Sequence, residues 1–110
     1  MTTLLEWIQE LSDKEEIEAV IIGEMGWDNY NQPDGLPDDY KSKIGKVMTA
    51  DEAMPYLTYS FDNGFGAPNC TAIAAYTKTW VISVSQYDGA TSPFRMARNP
   101  ISFIPEMPGA

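Results

Sequence analysis

The stretch that most restricts this chain is residues 80–87, Trp-Val-Ile-Ser-Val-Ser-Gln-Tyr, with Asp88-Gly89 directly behind it. Val81, Ile82 and Val84 are β-branched, Trp80 and Tyr87 are aromatic, and the run holds neither Pro nor Gly. Residues of this kind fit a pleated, half-buried surface and lose rotamer freedom in a helix. Strand side chains alternate, so Trp80, Ile82 and Val84 share one face. Asp-Gly is the two-residue signal for a hairpin turn. The sequence therefore predicts a central strand with an antiparallel neighbour after it.

The flanking segments extend that sheet. Residues 70–76 read as a strand joined to 80–87 around Thr77-Lys78-Thr79, and residues 94–98 as a fourth. Leu57-Thr58-Tyr59-Ser60-Phe61 alternates with period two and reads as the first strand. Residues 62–69 form a glycine-rich turn. The tail, 99–110, carries Pro100, Pro105 and Pro108, which bar it from a helix or a central strand.

The N-terminal half is helical and looped. Thr2 or Thr3 can cap a helix whose Leu4, Leu5, Trp7, Ile8 and Leu11 form one apolar stripe. Ser12-Asp13-Lys14-Glu15 has the spacing of a capping box and predicts a second short helix. Ala19-Val20-Ile21-Ile22 fits a short buried strand or the end of that helix, and periodicity does not decide between them. Residues 23–39 are loop-like, with Pro33-Asp34-Gly35 as a turn. Residues 38–44 read as one or two helical turns closed by Gly45. Thr49-Ala50-Asp51-Glu52 is a further capping box, and Pro55 keeps the helix after it short. The expected architecture is a single α+β domain. N-terminal helix or helices (1–56, with loops) pack on a three- to four-stranded antiparallel meander (57–98), followed by the Pro-rich tail.

Composition narrows the chemistry. The chain has 110 residues, one Cys and no His. An internal disulfide is impossible, as are imidazole bases, histidine-held haem and Cys/His zinc sites within one chain. No signal sequence is legible at the N-terminus, and no apolar run approaches the ~20 residues that span a bilayer. The expectation is a soluble cytoplasmic protein. A formal charge of −9 argues against phosphate-mediated nucleic-acid binding and against an anionic membrane surface. It permits a partner with a basic surface.

Candidate sites follow from residue type. Glu24, Asp28, Asp34, Asp38 and Asp39 crowd one loop, with Trp27 and Tyr30 among them and no Lys or Arg before Lys41. Charges bring steering and aromatics bring anchoring area, so these residues are the candidate partner-binding set. Asp28-Asn29-Tyr30-Asn31-Gln32 lacks calcium-loop ligand spacing, and no metal or cofactor is expected. Asp62, Asn63, Gly64, Phe65 and Gly66 are the alternative set, a glycine-rich loop whose amides can face a small anionic ligand. No helix is predicted after it to supply a positive dipole. Cys70 has no His to activate it and reads as a buried strand residue. Arg95 and Arg98 can clamp an acidic ligand or pair with sheet carboxylates. A carboxylate- or tyrosine-based enzyme is the last alternative, with no spacing that selects a pair.

Gly45-Lys46-Val47-Met48-Thr49, Glu52-Ala53-Met54-Pro55, Phe61-Asp62-Asn63-Gly64-Phe65-Gly66, Tyr87-Asp88-Gly89-Ala90-Thr91 and Arg98-Asn99-Pro100 follow one another along the chain. In these turn and cap motifs the chain resembles small uncharacterised proteins of phages and other mobile elements, over roughly residues 45–100. The resemblance implies a setting in which small acidic proteins act by binding host proteins. The expected function is a non-enzymatic binding protein, an inhibitor that engages a host or defence protein through an acidic face.

Overall fold

Strand β3 (Trp80–Tyr87) is central, as its composition predicts, with an antiparallel neighbour on each side. In this computed structural model the described residues are 1–25, 32–64, 70–87 and 90–108. The sheet order is β1 (Ala19–Met25), β2 (Thr71–Tyr76), β3, β4 (Ala90–Ala97), and every pair is antiparallel. Helix α1 (Leu4–Leu11) covers one face, and two single-turn helices, α2 (Tyr40–Lys43) and α3 (Ala50–Ala53), lie between β1 and β2. The molecule is α+β.

Local signals explain most elements. Thr3 caps α1, its hydroxyl accepting from the Glu6 N–H at 3.1 Å. Thr49 and Glu52 make both bonds of the predicted capping box at the head of α3, and Pro55 follows in a 3₁₀ turn, Met54–Tyr56. Thr77 N–H donates to the Trp80 carbonyl at 2.9 Å and closes the β2–β3 hairpin on two residues. The β3–β4 hairpin pairs Tyr87 with Ala90; Asp88 and Gly89 lie outside the described residues.

The sequence reading is corrected at two places, and one alternative it left open, at residues 19–22, resolves to a strand. Residues 57–61 are not a strand: Leu57, Tyr59 and Phe61 are all buried, and Phe61 makes only an isolated bridge to Thr2. Their alternation is satisfied by burial of every second side chain, without a partner strand. Ser12–Glu15 opens no second helix. Ser12 ends α1, and Asp13 and Lys14 turn through φ of 60° and 67°. Glu15 serves the β2–β3 hairpin instead, accepting from Thr77 Oγ1 at 2.7 Å and the Thr79 N–H at 2.9 Å. Residues 19–22 belong to strand β1, so the fourth strand comes from the N-terminal half.

Alternation then sorts the sheet. Val20, Ile22, Ile73, Ala75, Trp80 and Ile82 are buried on the α1 side, together with Leu4, Trp7 and Ile8 of the helix. Phe61 meets Trp7 edge-on at 5.2 Å between ring centroids. Arg95, on the same face of β4, lies over the Trp80 ring at 3.8 Å and donates to the Leu11 carbonyl at 2.8 Å. It thereby ties the C-terminal end of α1 to the sheet. Beyond β4 the tail turns back, and Phe103 stands edge-on to Trp80 at 5.6 Å.

The rim of β4 is protected chemically. Its Thr91 N–H points away from β3 and donates to the Asn63 carbonyl at 2.9 Å. Pro93, two residues on, shares that direction and has no N–H to leave unpaired.

Candidate functional site

The acidic segment is held by its apolar members. Leu36 and Tyr40 are buried, and Gly35, at φ +90°, turns the chain where a side chain would be strained. Gln32 Nε2 donates to the Tyr40 hydroxyl at 3.3 Å. This leaves Asp34, Asp38 and Asp39 exposed, and Glu24 exposed near the end of β1, within an irregularity in its pairing. Asp39 accepts from the Tyr56 hydroxyl at 2.9 Å. Burial and that carboxylate together raise the Tyr56 pKa. Trp27, Asp28 and Tyr30 lie outside the described residues.

The face is not purely acidic. Glu24 shares a depression of about 400 Å3 with Lys41, between the end of β1 and α2. A second depression, of about 360 Å3, brings together the two segments that the sequence reading kept apart. Asp34 of the acidic turn and Asp62 of the glycine-rich loop both line it, as does Phe61. No sequence spacing announces that meeting.

The glycine-rich loop is tied down within itself and to the sheet. Asp62 Oδ1 accepts from the Gly64 N–H at 2.9 Å, and the Asn63 carbonyl accepts from Thr91. Phe65 and Gly66 lie outside the described residues. Behind this loop the β2–β3 ladder stops at Ala74↔Ser83, and Ser83 Oγ donates to the Ile73 carbonyl at 2.6 Å. The opening is a cavity of about 160 Å3, lined among others by Cys70, Thr71 and Gln86. Thr71 Oγ1 is fully buried and makes no hydrogen bond of good geometry among the described residues. The sequence carries no signal for this cavity, because it depends on where two strands cease to pair.

The remaining candidates resolve into structure. Cys70 is buried, which pushes its thiol up to about 12 and leaves it protonated at neutral pH. Burial likewise pushes the Tyr59 hydroxyl up to about 12, and that hydroxyl accepts from the Thr71 N–H at 3.0 Å. Arg98 pairs with Glu18, whereas Arg95 makes the core contacts described above. Trp7 and Trp80 are core residues. Among the described residues no three Cys, Asp or Glu side chains converge as a metal site would need, and no helix is long and apolar enough to cross a membrane.

Comparison with known protein families, with curated proteins and with solved structures finds no match to this chain.

Proposed function

We propose that the chain is a small acidic binding protein without catalysis of its own. It engages the basic surface of a protein partner through Glu24, Asp34, Asp38 and Asp39, with Trp27, Asp28 and Tyr30 of the same loop. One observation supports the reading above others. These four carboxylates are exposed, while the ion pair present among the described residues, Arg98 to Glu18, lies elsewhere. Their charge is therefore available for long-range attraction, which acts mainly on association rate. The resemblance to phage and mobile-element proteins makes a host or defence protein the partner class, and inhibition the role.

The test is affinity capture from host cells, followed by binding kinetics at two salt concentrations. A discrete partner should associate more slowly as salt rises, since screening shortens to about 8 Å near physiological ionic strength. Changing Asp34, Asp38 and Asp39 to Asn should slow association and leave the fold intact. Salt-independent association, with the triple variant binding like wild type, rejects this face.

A second reading has its own support. The loop at Asp62 to Gly64 closes against Thr91, beside the cavity where Thr71 Oγ1 makes no hydrogen bond of good geometry among the described residues. A small neutral ligand with a hydrogen-bond acceptor suits that place. Mass spectrometry of the native protein would detect such a molecule.

A further inference from the structure

The face of the sheet turned away from α1 carries three positions from each of the four strands, and none of them is charged. Strand pairing arranges these positions in rows. Ala19, Tyr76, Val81 and Met96 form the first, and Ile21, Ala74, Ser83 and Phe94 the second. The third holds Gly23 and Ala72 on β1 and β2, and the paired Ser85 and Ser92 on β3 and β4. A Cβ added at Gly23 would stand 3.0 Å from that of Ala72, so the two backbones approach closely there. All these residues are half-buried or exposed, in contrast to their buried neighbours on the other face. Antiparallel sheets that face water normally carry polar and charged side chains on that side. Here Ala, Gly, Ser and large apolar residues take those places in a chain of charge −9.

We propose that this open face binds a second copy of the same chain, sheet against sheet, about a two-fold axis running across the strands along the middle row.

Three observations select a second copy as the occupant. The first is charge. An isologous interface brings each residue type against itself or its symmetry mate, so an acidic patch would repel its own copy. The open face is the region of the sheet where an acidic chain meets itself without that repulsion. At its border Glu18 and Arg98 neutralise each other, with Arg98 5.9 Å from the Tyr76 ring.

The second is shape. The rows grade from bulky to small: Tyr76, Val81 and Met96 stand at one end, Gly23, Ala72, Ser85 and Ser92 at the other. The proposed axis lays the bulky row of each copy on the small row of its mate. Met96, 42% exposed in the single chain, then lands over Ser92. Beside Ser92 the structure holds a groove of about 340 Å3, between Ser85, Ser92 and Phe94 on the sheet and Glu106, Met107 and Pro108 of the tail. Residues of the middle row, Ala74 and Phe94 among them, face their own copies. Aligned sheets pack in this manner at about −30°.

The third is area. Four strands about 4.8 Å apart and some five residues long at ~3.3 Å each give a footprint of roughly 320 Å2. Counting both copies and the relief of the side chains, the contact buries about 1,000 Å2, the lower limit for a specific association. A dimer with Kd on the order of 1–100 µM is expected.

Sedimentation equilibrium of the full chain from about 5 to 500 µM, a range spanning that Kd, tests the proposal. The average mass should rise from 12.2 kDa toward twice that value. Ala74→Glu and Ala74→Lys each place like charges against each other at the axis and should remain monomeric with unchanged circular dichroism. Mixed in equal amounts, the two should restore the dimer. Met96→Lys, at an exposed position on the edge strand, is a second variant that keeps the fold and should weaken association at least tenfold. A wild type that stays monomeric throughout overturns the proposal. So does a dimer that survives both Ala74→Glu and Met96→Lys in folded protein, since its interface would lie elsewhere. Failure of partner capture through the acidic loop would leave this result unaffected.

Discussion

On the face of the sheet turned toward α1, Val20, Ile22, Ile73, Ala75, Trp80 and Ile82 are buried. On the opposite face, Ile21, Ala74, Ser83 and Phe94 are open to water, and they are as free of charge as the first set. Only size and β-branching separate the two. The covered face holds the larger and more branched residues in β1 to β3, and the open face holds Ala74 and Ser83 at its centre. Strand alternation in this chain thus marks how much volume a neighbour must fill. It does not mark which side meets water. Among the described residues the acidic side chains lie outside the strands, apart from Glu24 near the end of β1.

The largest expected effect tests that contrast at adjacent residues. Ile82→Ala removes a side chain that is 0% exposed and should cost about 2–5 kcal/mol. Val81→Ala, one residue away on the open face, should cost under about 1 kcal/mol in dilute protein. Urea denaturation at low concentration measures both. Equal losses would mean that the open face is packed as tightly as the other within one chain.

The two arginines sharpen the comparison at the next level. Arg95 reaches the covered face, where its guanidinium joins the Leu11 carbonyl to the Trp80 ring. Arg95→Ala should cost about 1–3 kcal/mol, through a charge-assisted hydrogen bond and a stacked contact. Lys should recover little, since it lacks the planar group. Arg98 and Glu18 remain 40% and 47% exposed, and solvent screening holds Arg98→Ala to under about 1 kcal/mol. The same denaturation series ranks them, and a larger loss at Arg98 would reverse the assignment of core and rim.

Much of this was legible in the sequence where signals are local. The run at 80–87 became the central strand, Thr49 and Glu52 made their capping box, and Ile82 is fully buried. What escaped was non-local. Whether residues 19–22 join the sheet depends on pairing with 73–76 across a long connection, and no periodicity reports a partner that distant. The period-two pattern at 57–61 was real but recorded burial, not pairing. Glu15 had the spacing of a helix cap, yet donors on a hairpin far along the chain claimed it. The candidate site divides in the same way. The exposure of Asp34, Asp38 and Asp39 follows from composition, whereas the meeting of Asp34 with Asp62 is a product of the fold.

Glu15 also sets a pH dependence smaller than these packing effects. Hydrogen bonds from the Thr79 and Thr77 side chains hold its carboxyl below the ordinary value of 4.5. A depressed carboxylate contributes stability that is present above about pH 4.5 and lost as pH falls through its folded value. The melting temperature should therefore decline below about pH 4.5. Glu15→Gln should lower it at neutral pH and flatten part of the decline. Glu52, held low first by the Thr49 backbone N–H, keeps the rest. A Glu15→Gln profile parallel to wild type would remove the hairpin contact from the account.

An effect of opposite sign, similar in size to the loss at Arg98, concerns a buried polar atom on the covered side. Thr71 is 0% exposed, and its Oγ1 makes no hydrogen bond of good geometry among the described residues, although the Tyr59 hydroxyl lies near enough to interact with it. Its backbone is satisfied separately, because the N–H donates to the Tyr59 hydroxyl at 3.0 Å whatever side chain stands there. A buried, unpaired hydroxyl costs roughly 1–3 kcal/mol relative to an apolar group of the same shape. Thr71→Val keeps the branching and the volume and removes that cost. The variant should be more stable by about 1 kcal/mol, a rise of several degrees in melting temperature for a domain of this size. The sign matters more than the size. A drop of similar magnitude would mean that the hydroxyl has a bound partner in solution, and the nearest space for one is the 160 Å3 opening between β2 and β3. That outcome would promote the small-ligand reading over the acidic face. The covered side of the sheet would then hold the functional cavity, and the open side would keep only the role of an interface.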